Sequence, residues 1–290
     1  MVAIIATQAA NNVVSKIVVS DLAIPPIAYA ATRSALVALC ASAWLFPRPK
    51  DFWRVLLVAL LVGGPNQALL FVGLQHTSPS VAAITFQLGM PFGAVLAMVF
   101  LQERVTARRW VGIVCTFVGA VTVMWKPGTF ALAPGLIFIA LAALFGAGGA
   151  VLIRRIPGVR PLQLQAWVGF AGVWPLGTLT VLTEQDQVQA MAAGGFVFLG
   201  CLLFSVLGVS ILAHTLHYGL MQKHEASLMA PLAVMNPLFT MLFGVIFTGD
   251  IITFQVAAGA ALAVLGIIIV TFRPPRRPLV AYLWPWSPKA

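Results

Sequence analysis

Charged residues are scarce in this sequence: Asp, Glu, Lys and Arg make up 8% of its 290 residues, where soluble domains average roughly 25%. An ordinary water-facing surface is thereby excluded. Cysteine is scarce too. Cys40, Cys115 and Cys201 all fall inside apolar runs without a CxxC spacing. That pattern excludes a disulfide framework and a thiolate metal centre and leaves them as small packing residues. No Lys or Arg precedes the first apolar stretch, which Gln8, Asn11 and Asn12 interrupt, a pattern unlike a secretory signal.

What fills the chain instead is apolar, 61% of it. The apolar residues gather in charge-poor runs of about 20 residues, each matching the thickness of a bilayer core. A soluble fold has room for one or two such helices. Here the runs predict helices over 2–20, 26–46, 53–74, 79–101, 109–125, 134–153, 161–182, 193–220, 227–247 and 252–272. Breaks such as Pro25-Pro26, Pro47-Arg48-Pro49-Lys50, Pro127-Gly128 and Pro157-Gly158 separate them. The net charge of +10 is divided into short clusters between the runs, so no nucleic-acid partner is expected. Counted by alternate connections, one side collects Arg48, Lys50, Arg54, Arg104, Arg108, Arg109, Arg154, Arg155, Arg160, Lys223, Arg273, Arg276, Arg277 and Lys289. Of the seventeen basic residues, only Lys16, Arg33 and Lys126 remain for the other side, which holds Asp21, Glu184, Asp186 and Asp250. By the positive-inside rule both termini are cytoplasmic and the chain is a multi-pass protein of the plasma (inner) membrane.

An internal repeat organises these spans. Gly73-Leu74 through Pro91 overlays Gly219-Leu220 through Pro237 without a gap. After one inserted residue, Glu103, Thr106, Gly112, Gly119 and Val123 fall on Asp250, Thr253, Gly259, Gly266 and Val270. Each half holds five helices, an odd number, so equivalent helices cross in opposite senses. The expected fold is an all-α membrane protein: ten transmembrane helices in two inverted five-helix repeats around a central cavity. The repeats are expected at 1–126 and 127–272, with a cytoplasmic tail at 273–290. Inverted repeats of this kind place a solute site near the midplane between the halves.

The run Asn66-Gln67-Ala68-Leu69-Leu70-Phe71-Val72-Gly73-Leu74-Gln75-His76-Thr77-Ser78-Pro79-Ser80-Val81-Ala82-Ala83 resembles the passage from third to fourth helix in the ten-helix EamA branch of the drug/metabolite transporter superfamily. Leu101-Gln102-Glu103-Arg104 resembles that family's "LGE" turn, with Gln where Gly is usual. Lys16 after Asn12, and Arg33 after Pro26, match the pattern of its first two helices. The likeness spans residues 1–272 and extends to the branch that includes aromatic amino-acid exporters. It implies carriage of a small metabolite, an amino acid or a related compound, outward by alternating access, in a monomer or homodimer without cofactor or metal. An enzyme is not expected, since no nucleophile, acid and base converge. A channel lacks a charged ring or carbonyl filter.

Several residues are candidates for the solute site. Gln8, Asn11, Asn12 and Ser15 recur at spacings of three and four, one polar stripe that either lines a wet cavity or bonds neighbouring helices. Asn66, Gln67, Gln87 and Asn236 are single polar groups near prolines, open to the same two readings. Lys16 and Arg33 sit within helices, where a cation costs on the order of 3 kcal/mol and needs water, a partner or an anion. They either snorkel and pair with Asp21 or attract a solute carboxylate. His214 and His217 share one helix face, for packing or for titration. Trp167, with Trp174 seven residues on, either packs or stacks a flat solute. Pro91 and Pro237, the repeat-related prolines, remove helical N–H donors and are either static kinks or hinges. All seven carboxylates fall at loops or helix ends. That placement disfavours a buried-acid proton antiporter and leaves facilitated diffusion, exchange or coupling through histidine.

Overall fold

The computed structural model describes residues 2–103, 106–125, 133–156, 158–216 and 226–271, with side chains omitted for 226–234 and 271. Every regular element among them is helical. Seven helices are long and apolar enough to cross a membrane: α1 (Val2–Asp21), α3 (Phe52–Gln75), α4 (Pro79–Leu101), α5 (Ala107–Met124), α6 (Pro134–Ile153), α7 (Pro161–Thr183) and α8 (Gln187–Leu216). Three shorter apolar helices complete the set: α2 (Pro26–Cys40), α9 (Ala226–Phe243) and α10 (Phe254–Thr271). The protein is a multi-pass membrane protein.

Several prolines are helix starts. Pro26, Pro79, Pro134 and Pro161 each stand in the first turn of a helix, where the missing N–H has no helical acceptor to lose and φ is already set. Thr106 and Thr253 open α5 and α10 alike, their hydroxyls accepting from Arg109 N at 3.4 Å and Val256 N at 3.3 Å. The turns before them also agree, with Gln102 at φ 55° and Gly249 at φ 66° closing the preceding helices.

Helix α2 stops at Cys40 and passes into a 3₁₀ turn over Ser42–Leu45, earlier than the expected 46. Helix α8 starts at Gln187 rather than 193. Hydropathy misses that first stretch because it is held by side-chain bonds: Gln187 Nε2 donates to Thr180 O and Glu184 O at 2.8 and 2.7 Å. Gly195, at φ 50° and ψ −139°, then breaks the helix, a conformation glycine alone adopts readily. Two further breaks fall at Gly64 in α3 and at Gln87-Leu88 in α4.

Cross-helix neighbours give the relative directions of the helices. On α5 and α10, Gly112 meets the Gly266 carbonyl and Val270, while Gly119 meets the Gly259 carbonyl and Ala263. Rising numbers pair with falling ones, so these helices are antiparallel, and the four glycines bring their backbones close. Helices α2 and α7 are antiparallel as well: Ile27 N and Ala28 N donate to Glu184 at one end, Gly169 faces Ser34 and Ala38, and Gln163 donates to Pro47 O at the other end. Gly89 and Gly93 of α4 lie beside Ala143 and Ala147 of α6 in parallel. All three relations fit a chain that reverses direction at every connection.

The helix ends accordingly assort into two sets. At the arginine-rich end, Glu103 pairs with Arg154 and, at 3.7 Å, with Arg109, and Arg155 donates to Phe100 O. At the opposite, carboxylate-rich end, Glu184 caps α2 through Ile27 N and Ala28 N, both at 2.8 Å. Asp250 caps α4 through Ser80 N at 2.9 Å and Ser80 Oγ. Charge-assisted bonds at helix starts satisfy donors that have no partner in the helix. The largest buried apolar cluster lies in this same half. It includes Val18, Val19, Ile24, Leu74, Ala82, Leu136, Leu176 and Phe198. Outward-facing apolar side chains such as Leu182, Phe196, Phe247 and Phe254 are exposed, as a lipid-facing surface requires.

Candidate solute site

A cavity of about 480 Å³ opens among α1, α2, α3, α4, α7, α8 and α9. Its lining runs from Leu70 and Ala82, on the carboxylate-rich side of the α3 and α4 breaks, to Ile5, Gln165 and His214 toward the arginine-rich end. Its size suits a small metabolite. Gln8, Asn11, Asn12, Arg33, Asn66, Gln67, Gln87, His214 and Asn236, all singled out from sequence, line it. The first helix presents its stripe there because residues three and four apart share a face.

The lining is held by bonds between helices. Asn12 Nδ2 donates to Thr240 Oγ1 at 3.2 Å, and that hydroxyl donates to Asn236 O at 3.0 Å, tying α1 to α9. Asn66 Nδ2 donates to Ala142 O at 2.6 Å, fastening broken α3 to α6. Arg33 donates from Nε and Nη2 to Ser210 Oγ, at 3.3 and 2.9 Å. Ser210 in turn gives its own proton to Ser205 O at 3.0 Å, a five-residue return within the π-helical stretch Phe204–Ala213 of α8. The guanidinium also lies over the Phe71 ring, 5.7 Å from its centroid, a cation–π contact. Behind it, Tyr29 and Ser205 hydroxyls bond at 2.7 Å.

The remaining candidates lie elsewhere. Ser15 is fully buried beside the stripe but does not line the cavity. Lys16 Nζ donates to Leu74 O at 2.9 Å and Gln75 O at 3.2 Å, satisfying carbonyls at the end of α3. Its neighbours are therefore carbonyls, and no ion pair joins it to Asp21 among the described residues. Trp167 packs edge-on to Phe52 and Phe170 in a core with Val55 and Val168, whereas Trp174 is 68% exposed, so the two do not share an environment. His217 lies outside the described residues. Pro91 follows the α4 break, where the Gln87 carbonyl accepts from Met90 N at 3.0 Å. A tight turn thus replaces the donor that proline removes. Helix α9 continues through a buried Pro237.

Sequence reading passed over two polar lining residues. Gln165, 6% exposed, was visible as the second of two amides, with Gln163, in the first turns of an apolar helix. Ser210 carried no signal, because a serine in an apolar run is ordinary until its partner across the bundle is known. The six described carboxylates, Asp21, Asp51, Glu103, Glu184, Asp186 and Asp250, all stand at helix ends or connections, and none lines the cavity.

The EamA-like transporter family matches residues 1–125 and 133–272. The chain belongs to that family, and it is a membrane transporter rather than an enzyme. An uncharacterized transporter of Archaeoglobus fulgidus is 25% identical over 224 residues, 76% of this chain and 78% of its own length. A probable amino-acid metabolite efflux pump of Salmonella typhimurium is 24% identical over 258 residues, 86% of either chain. Protein PecM of Dickeya dadantii is 24% identical over 223 residues, 75% of this chain and 73% of its own. A solved crystal structure superposes over 93% of this chain and 94% of its own, with a TM-score of 0.55 and 18% identity, a likeness of fold alone.

Proposed function

We propose that the protein exports an amino acid or related metabolite across the plasma membrane by alternating access, as a monomer or homodimer with both termini cytoplasmic. The observation that carries this reading is the amide-lined cavity, walled by helices from both halves of the chain, with the largest buried apolar cluster toward the carboxylate-rich end. A pore would be wet from end to end, whereas a carrier exposes its site to one side at a time. With the arginine-rich end cytoplasmic, the cavity lies on the inward side, where an exporter loads. The Salmonella relative's name supports amino-acid metabolites as the solute class.

Ten spans in two inverted repeats, 1–126 and 127–272, supply the alternation. Three features support that architecture. Helices α5 and α10 meet glycine against glycine in antiparallel, each repeat-related pair contacting the other's opposite member. Helices α2 and α7 run antiparallel in the same way. The turns before α5 and α10 share left-handed residues and threonine caps. Pro91 and Pro237 act as paired hinges, the α4 break at Gln87 showing how a helix bends there while its backbone stays bonded. In proteoliposomes holding the purified protein, an amino-acid and amino-acid-metabolite panel is expected to give saturable counterflow. No exchange of any solute overturns the carrier reading. Spin-label distances across α4 and α9 during turnover should show two populations, and a single fixed distance removes the hinges.

A further inference from the structure

We propose that Arg33 is the carboxylate-binding residue of the cavity, and that the transported solute is an organic anion whose amine is dispensable. The inference rests on the carrier reading and specifies what the carrier selects.

The guanidinium is 6% exposed, lines the cavity, and meets only neutral partners among the described residues. A guanidinium carries five N–H donors. Two are spent on Ser210 Oγ, which leaves three, including both on Nη1, without a described acceptor. The Ser210 hydroxyl has given its proton to Ser205 O. It therefore presents lone pairs to Arg33 and cannot itself hold an anion. It steadies the guanidinium, while Phe71 fixes the plane from one face. The free Nη edge matches the two parallel N–H···O bonds that a carboxylate accepts.

The rest of the lining sharpens the selection. None of the six described carboxylates faces the cavity, so among the described residues a solute ammonium finds no opposite charge there. What it finds is amide side chains, among them Gln8, Asn11, Gln67 and Asn236. An amine can be received by these groups, and a hydroxyl or amide N–H can be received equally well. The anionic end is thus recognised by charge and the other end by neutral hydrogen bonding, the weaker of the two. Lys16, the other cation within the helices, is committed to the carbonyls of Leu74 and Gln75 and does not compete.

The test uses the purified full-length protein and four matched probes: phenylalanine, 3-phenylpropionate, phenylalaninamide and phenethylamine. Thermal unfolding is followed as each is titrated, since binding to the folded state raises the midpoint. Both carboxylates are expected to raise it, the amide and the amine are not, and sodium chloride alone is not. Arg33→Gln is expected to weaken the carboxylate response roughly tenfold or more, with Arg33→Lys intermediate because lysine offers a point charge without the fork. Equal response to the amide or amine overturns the proposal. So does response to the zwitterion alone, a matching chloride effect, or an unchanged carboxylate response in Arg33→Gln. If Arg33→Gln does not fold, Arg33→Lys decides: it keeps the charge but loses the fork, and a carboxylate response equal to that of the unsubstituted protein overturns the proposal. Counterflow of the same four probes separates the two levels. Exchange without preference for carboxylates defeats this inference alone, and no exchange of any panel solute defeats the carrier reading.

Discussion

Two turns that the sequence alignment pairs, Leu101-Gln102-Glu103 and Thr248-Gly249-Asp250, are built alike and perform differently. Both pass through a left-handed residue, Gln102 at φ 55° and Gly249 at φ 66°. Both present a carboxylate next. Asp250 turns it inward, accepting from Ser80 N at 2.9 Å, from Ser80 Oγ, and from Thr248 Oγ1 at 2.8 Å. That carboxylate caps α4 and ties it to the end of α9. Glu103 turns outward to arginines, its side chain 30% exposed and that of Arg154 53% exposed. Burial and the number of oriented donors, more than the charge itself, decide what such an acid contributes. The carboxylate-rich end is thereby fastened, while the arginine-rich end is held by pairs that water and salt weaken.

The largest break in this comparison should come from Asp250→Ala. It removes one acceptor of three bonds and leaves Ser80 N unsatisfied, for a loss on the order of 3 kcal/mol in unfolding measured in mixed micelles. Gly244→Ala ranks next. A Cβ there meets Asp250 Oδ2 and Ser80 Oγ, so crowding is expected to cost about 2 kcal/mol while the carboxylate stays present. Glu103→Gln, by contrast, should lower stability by less than about 1 kcal/mol, and 1 M salt should erase most of the difference. A loss as large as that of Asp250→Ala would remove the contrast between the ends. The smallest change is a gain: Gln102→Gly relieves a left-handed side-chain residue and is expected to add about 1 kcal/mol or less by the same unfolding measurement.

Much of the site was legible because membrane helices make polar residues conspicuous. The spacing of Gln8, Asn11 and Asn12 placed them on one face, and seven helices' worth of neighbours turned that face into cavity wall. Arg33 stood out by charge alone. Lys16 stood out equally, and its fate could not be read: the carbonyls of Leu74 and Gln75 that it bonds lie more than fifty residues away in sequence. Trp167 stayed open between packing and stacking for a related reason, since aromatic spacing does not reveal whether a face meets solute or a neighbouring Phe52. The helix breaks were half visible. Pro91 marked the one in α4, although the turn that keeps Gln87 bonded needed coordinates. Gly195 carried no mark, because a glycine among apolar residues is common.

Sequence by itself determined that this protein lives in lipid, where its apolar runs lie, and which end of the bundle collects arginine. Those properties follow from transfer free energies and charge placement, which act residue by residue along the chain. Only the tertiary structure decided which polar groups share a cavity and which are spent on backbone carbonyls. It also decided which carboxylate caps a neighbouring helix, because a hydrogen bond depends on partners within about 3 Å that the chain brings together from opposite halves.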